Sequence, residues 1–359
     1  MLEFPDPHVL LEWARDVGKT VSFLDFHVHP FDVITGDTGY QLDNQVERLY
    51  RKGSLAYHPP RVQASVENPK TSAASSITLR SLLLASQLAY THTGPKVLID
   101  QLEIAGLAGA LLLPVARSSG AAEKLSQATA QMFPNDGRLL PGCAFPIGIP
   151  PDKLDYFFRS ARDMRGIRAI KFHPNLTGVD PQTEFGRDLI EAMLAAAGSL
   201  DLLVVVHGGR TPALEPVACR EYGKLAHLIN VDWSISSAPV IFAHGGLYCL
   251  TEEEAIADLD VLEKLFERYP NLMADTSNLE PPILRLVLEK VDRNRLIFGS
   301  DALYIPIWKS WVRFLQTLRI VTPHPEDDLI RIASLNPMHC LRLHQLRDTV
   351  EDGITDLRV

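Results

Sequence analysis

The stretch Phe23-Leu24-Asp25-Phe26-His27-Val28-His29-Pro30 governs how the rest of this 359-residue chain is read. An apolar run from Val21 to Phe26 ends in two histidines spaced two apart. A strand sends residues i and i+2 to one face, so both imidazoles leave the strand end side by side. Two imidazoles converging on one point make half a coordination shell for zinc, manganese or iron. A lone pair of this kind is equally the mark of an ordinary polar strand end. Four later apolar runs finish the same way, however: AIKFHP with Lys171 and His173, LLVVVHGG with His207, VIFAHGG with His244, and LIFGSDA with Asp301. It is the recurrence that points to a metalloenzyme.

Outward from these runs, strands are expected at 21–27, 108–115, 139–147, 167–173, 202–208, 240–245, 272–276 and 296–301. Most are unbroken runs of Val, Ile, Leu, Ala and Phe without strict alternation, as in parallel strands covered on both faces. Helical spacing appears between them, at 151–163, 181–197 with Gly198 as the residue past its end, 251–268, 281–291 and 306–319. Thr251 followed by Glu252-Glu253-Glu254 reads as an N-cap with a capping box. Eight strands alternating with helices fit a (β/α)8 TIM barrel, an α/β fold whose active site lies at the strand C-termini. A doubly wound open sheet would need a glycine-rich loop after its first strand, and none follows Phe26. The chain thus reads as a single domain, 1–359. Residues 31–95 form a long insertion after the first strand, placed to act as a lid or pocket wall. Residues 325–359 form a C-terminal helical tail with a break near Asn336-Pro337.

Composition narrows the classes. A net charge of −9, with no basic run longer than a pair, argues against a nucleic-acid partner. The N-terminus, MLEFPDPHVLLEWARDVGK, has early acids and prolines and lacks a signal-peptide core. No window approaches the ~20 apolar residues of a membrane span. Cys143, Cys219, Cys249 and Cys340 lie far apart, which fits buried free thiols in a reducing compartment. A cytoplasmic enzyme with a small-molecule substrate is expected, and a homo-oligomer is compatible with all of this.

A barrel gathers His27, His29, His207, His244 and Asp301 around one mouth. Nitrogen and oxygen ligands with an open position suit catalytic zinc, which lowers the pKa of bound water toward ~7 and so supplies a hydroxide nucleophile. A carboxylate beside that water can take and return its proton, and Asp301 is the candidate. These residues resemble the amidohydrolase superfamily of metal-dependent barrels. The resemblance covers the first, fourth, fifth, sixth and eighth strands, and the ending Asn336-Pro337-Met338-His339-Cys340-Leu341-Arg342-Leu343 is similar to N-A-x-R-L-L.

It implies His27, His29, Lys171, His207, His244 and Asp301 as metal ligands for one or two divalent ions, zinc first, with manganese or iron as alternatives. Asp301 and His244 are the implied catalytic groups. Lys171 has two readings: a carboxylated bridge between two metals, or a buried amine paired with Asp275 or Asp301. AIKFHPN is similar to the dihydroorotase strand, yet His29-Pro30-Phe31 lacks the arginine that follows there. The decarboxylase-like branch also shows K-x-H-P and often one metal. His173 and Arg210 are candidate substrate-binding groups, with a surface salt bridge as the other reading of Arg210. Asp275 could support a ligand or cap a turn.

The leading expectation is a hydrolase that uses metal-bound hydroxide to cleave a C–N or C–O bond of an amide, lactone or ester. The alternative is a metal-dependent decarboxylase of a small aromatic or enoic acid. A catalytically silent scaffold barrel would show broken ligands, and here the set is whole.

Overall fold

Eight apolar runs become strands because their side chains can be covered on both faces. The computed structural model describes residues 6–30, 95–116, 119–131, 137–212, 217–302 and 305–341. Its strands are β1 (Leu24–Val28), β2 (Gly109–Leu112), β3 (Leu139–Ala144), β4 (Ala169–Phe172), β5 (Leu203–Gly209), β6 (Val240–Tyr248), β7 (Leu272–Asp275) and β8 (Leu296–Ile297). They stand side by side in chain order, each parallel to the next. The ring closes just beyond β8. Phe26 N–H donates to Phe298 O at 3.0 Å, Asp301 N–H to His27 O at 2.8 Å, and His29 N–H to Ala302 O at 2.8 Å. With helices between successive strands, this is the (β/α)8 barrel.

Side chains of alternate residues fill the inside. Leu111, Leu113, Ala169, Leu203, Val205, Ile241, Ala243, Met273 and Ile297 meet there with Phe26. The opposite set, including Val28, Leu112, Val204, Val206, Phe242 and Phe298, packs with the surrounding helices. β1 breaks its own alternation. Asp25 pairs with Ala110 and Val28 with Leu112, so three steps on β1 match two on β2. That extra residue lets Phe26 plug the interior while His27 and His29 still reach the mouth.

The opposite end of the barrel is closed by the tail. Asn336 Nδ2 donates to Arg293 O and Leu296 O, both at 2.7 Å, and Cys340 Sγ lies 3.1 Å from Met273 Sδ. The expected break at Asn336-Pro337 is corrected here. A π-turn, Arg331–Leu335, runs directly into the helix Asn336–Cys340, so the widened turn accommodates the missing proline N–H without ending the helix. The helix expected to end before Gly198 instead spans Glu184–Leu200, and Asp201 takes the left-handed terminal position at φ 54°. An asparagine or aspartate tolerates that conformation better than most residues. The helix Glu252–Arg268 starts at Thr251 with both halves of its capping box made.

The sequence reading does not include the helices Pro7–Val17, Pro95–Ala105 and Ser119–Gln131. Pro7–Val17 is capped by Asp6, which accepts from His8 N–H at 2.8 Å, and it buries Leu10, Leu11 and Ala14. Cys143, Cys219 and Cys340 are buried free thiols, but Cys249 is exposed, because it lies past the covered part of β6. The proposed lid at 31–95, except for Pro95, and the tail beyond 341 lie outside the described residues. No helix among the described residues is long and apolar enough to cross a membrane.

The helix Ile307–Val321 is held by Trp311, whose ring lies 4.5 Å from Phe298, 5.6 Å from Phe314 and 5.7 Å from Phe23. Trp311→Ala is expected to cost about 3–5 kcal/mol. Chemical unfolding should show it as a lower midpoint, and an unchanged midpoint would contradict this packing.

Candidate metal centre

Three ligand atoms converge at the C-terminal mouth. His27 Nε2 lies 3.3 Å from His29 Nε2 and 3.5 Å from Asp301 Oδ1, and His29 Nε2 lies 3.0 Å from the same oxygen. All three residues are buried. A tetrahedral ion with bonds of about 2.1 Å has ligand–ligand edges of about 3.4 Å, so the triangle is of the right size.

Hydrogen bonds on the far side of each ring decide which atoms face inward. His29 Nδ1 is 2.7 Å from Leu113 O, and a carbonyl can only accept, so the proton sits on Nδ1. His27 Nδ1 is 2.8 Å from Asp275 Oδ2, again an acceptor. In the neutral rings both Nε2 atoms therefore present lone pairs to one another and to Asp301 Oδ1. That oxygen is buried and accepts no hydrogen bond. Its partner Oδ2 accepts from Asn278 Nδ2 at 2.9 Å. Lys171 Nζ reaches His27 Nε2 at 3.0 Å, but Asp301 Oδ1 accepts no hydrogen bond beside the two imidazole nitrogens, so the donor set fits a divalent metal.

Electrostatics agree. Burial, then Lys171, pushes His27 down to about 3 against the pull of Asp275 and Asp301. Burial likewise lowers His244, and lowers His173 and His207 well below the ordinary imidazole value. Burial opposes ionisation of Asp301, but His244, His29 and His27 outweigh it and hold the carboxyl below the usual range. The site thus offers neutral rings and an anionic oxygen, the protonation states a metal requires.

Other sequence-derived residues fall around this triangle. Lys171, buried, places Nζ 3.0 Å from His27 Nε2, and burial brings its amine down to about 8 against Asp275 and Asp301. His244 stands with its ring 5.1 Å from His27, its Nδ1 2.9 Å from Ser277 O, and a left-handed φ of 58°. His207 stacks on His173 with centroids 3.8 Å apart, and its Nε2 lies 3.3 Å from Thr211 Oγ1. It belongs to neither three-residue group of metal-ligand spacing found among the described residues, His27–His29–Asp301 and His27–His244–Asp275. His173 Nδ1 accepts from Leu176 N–H at 3.3 Å, which leaves its proton on Nε2. Arg210 bridges Glu221 at 2.7 Å and Glu254 at 2.6 Å, the salt-bridge reading of that residue. Its guanidinium holds the Glu254 carboxyl down to about 2.

Several participants were not legible beforehand. Ser277 and Asn278 follow β7 in a run, Ser-Asn, that looks like any turn, yet both bond to the centre. Tyr248 faces His244 and His207 with centroids 4.8 and 5.4 Å away. In the sequence Asp25 stands only as one residue of the β1 run. Its Oδ1 accepts from His27 N–H at 3.1 Å and Ser300 N–H at 2.9 Å, tying β1 to the segment after β8. Burial raises its carboxyl to about 7. Gly299 is needed for a different reason: a Cβ there would stand 2.7 Å from His27 Cβ and 3.1 Å from Ser277 Cβ.

Fold and site together define a metal-dependent barrel enzyme acting on small molecules. The chain belongs to the amidohydrolase family, whose model matches residues 113–343, more than half of it. No curated protein sequence matches the chain. Among solved structures it is similar to 4-oxalomesaconate hydratase from Rhodopseudomonas palustris, at 14% identity and TM-score 0.52, covering 92% of this chain and 98% of that one. It is similar to 5-carboxyvanillate decarboxylase from Sphingomonas paucimobilis, at 14% identity and TM-score 0.53, covering 90% and 99%. A zinc-bound amidohydrolase from Burkholderia multivorans aligns at 13% identity and TM-score 0.52, covering 89% and 99%. At these identities the likeness concerns the fold.

Gly299→Ala is expected to displace His27 and weaken divalent-metal binding by at least about tenfold, the scale set by disturbing a ligand's support. Metal titration of the variant checks this, and wild-type affinity would show that the close approach is not needed.

Proposed function

We propose that this protein is a metal-dependent hydrolase that cleaves a C–N or C–O bond of a small amide, lactone or ester at the barrel mouth. The supporting observation is the buried, unserved Asp301 Oδ1 set 3.0 and 3.5 Å from two imidazole lone pairs. His27, His29 and Asp301 would hold the ion, with zinc the best match to two nitrogens and one oxygen at tetrahedral spacing. A bound divalent ion supplies Lewis acidity toward a carbonyl oxygen and acidifies water.

The chain's own groups divide the remaining work. Both Asp301 oxygens have duties, Oδ2 with Asn278 and Oδ1 toward the ligand triangle. His244 has its proton fixed on Nδ1 by Ser277 O, so its Nε2 joins Asp301 as a group able to take a proton from water and return it to the leaving group. His173 keeps its Nε2–H as a donor and can orient a substrate oxygen. Lys171 and His207 remain proposed ligands of a second ion. A buried amine brought down to about 8 has an appreciable neutral fraction at neutral pH, the form that carboxylation requires. A cytoplasmic location and the pocket-wall role of 31–95 belong to this proposal too.

A second reading has its own support. His207 Nε2 is turned to Thr211 and joins neither nitrogen–oxygen group of ligand spacing, while the His27–His29–Asp301 triangle lies beside a lysine. One metal suits decarboxylation of a small aromatic or enoic acid, and a decarboxylase is among the proteins of similar fold.

Elemental analysis of protein purified with bicarbonate and without chelator is expected to find one or two first-row divalent ions, mainly zinc. Protein that takes up no zinc or manganese even on incubation would defeat both readings. Replacing His27 and His29 together with alanine should abolish the first site while leaving the barrel folded.

Lys171→Ala should lower occupancy from two ions to one or none if the lysine is a carboxylated bridge, whereas a retained single ion marks a one-metal enzyme. Asp301→Asn should fold yet lose at least ~10²-fold in turnover of a confirmed substrate. Unchanged kcat would remove Asp301 from the site chemistry.

A further inference from the structure

β7 ends in Asp275, fully buried, whose carboxylate reaches two histidines by different routes. Oδ2 accepts the Nδ1 proton of His27 at 2.8 Å. Oδ1 accepts the backbone N–H of His244 at 2.7 Å and that of Ser277 at 3.0 Å, and the Ser277 hydroxyl donates to it as well. Ser277 turns back to the same rings. Its Oγ lies 3.0 Å from His27 Nδ1 and 2.9 Å from His244 Nδ1.

We propose that Asp275 is a positioning residue that couples the metal ligand on β1 to the acid–base histidine on β6, an inference that rests on His27 being a metal ligand. It holds His27 in the Nδ1–H tautomer and holds the His244 backbone in its left-handed turn.

A neutral imidazole has one proton, so an anionic acceptor at Nδ1 drives the lone pair to Nε2, where the ligand triangle lies. His244, at φ 58°, adopts a backbone conformation that side chains with a Cβ disfavour, and its N–H is turned directly onto Oδ1. The segment after β8 leaves room for the arrangement, because a Cβ at Gly299 would stand 2.7 Å from His27 Cβ and 3.1 Å from Ser277 Cβ. His27, His244 and Asp275 are close enough to hold an ion of their own, with ligand atoms within 4.8 Å. Yet both Nδ1 atoms already carry protons given to Asp275 and to Ser277 O. The structure assigns this group to hydrogen-bonded support.

Asp275→Asn tests the coupling, since an amide has one acceptor oxygen and one donor nitrogen. In either orientation a donor faces a donor, at His27 Nδ1 or at the His244 and Ser277 N–H groups. The measurement is zinc affinity of metal-stripped protein by chelator competition, on wild type, Asp275→Asn and His29→Ala. Circular dichroism checks the fold, and 15N shifts of the His27 ring report its tautomer.

Asp275→Asn should bind zinc about 10–100-fold more weakly at unchanged stoichiometry. Wild-type affinity in Asp275→Asn overturns the proposal. So does loss of one whole zinc equivalent with the remainder bound normally, which would make Asp275 a ligand. A wild-type His27 protonated on Nε2 overturns it without any variant. By contrast, zinc binding in His29→Ala equal to wild type would sink the metal-ligand reading itself.

Discussion

The seam between the first and last strands is the constraint on which the centre depends. Asp301 N–H donates to His27 O at 2.8 Å, and His29 N–H to Ala302 O at 2.8 Å, so the bonds that close the ring also align the candidate ligand residues. Asp25 adds a carboxylate across the same seam, accepting from His27 N–H and Ser300 N–H. Closure of the barrel and convergence of these candidate ligands are one event. A barrel that failed to close would separate His27 from Asp301, although nothing in either residue would have changed.

Around that seam the site is built from groups whose freedom has been removed. Each inward-facing ring has its other nitrogen tied to an oxygen that can only accept: Leu113 O for His29, Asp275 for His27, Ser277 O for His244. Burial keeps His27 and His244 neutral, while Asp301 stays ionised. His244, Asn278 and Asp301 all have left-handed backbones, at φ 58°, 43° and 59°. Conformations of this kind persist only where surrounding contacts over-determine them, and here the backbone and side-chain bonds of β7 and β1 do so. These outer bonds fix the direction of each ring, and a pre-set direction reduces the reorganisation that binding must drive.

The pattern along the chain carried much of this. Unbroken apolar runs announced strands covered on both faces, and their endings in His27, His29, Lys171, His207, His244 and Asp301 announced the mouth. Local chemistry was equally direct at Thr251, whose capping box formed as its spacing implied. What misled was chemistry whose meaning depends on neighbours. Gly198 looked like a helix terminator, yet the helix continued to Leu200. Asn336-Pro337 looked like a break, yet a π-turn absorbed the proline.

By itself, then, the sequence determined the repeating strand–helix order and the ligand-type residues, because both are local properties of side chains and their spacing. Only the tertiary structure decided which nitrogen of each ring faces inward, since that depends on Leu113, Asp275 and Ser277, remote in sequence from the rings they hold. It also decided that Arg210 is bound by Glu221 and Glu254, and that Gly299 must lack a side chain beside His27. These are facts about which surfaces meet when the eighth strand returns to the first.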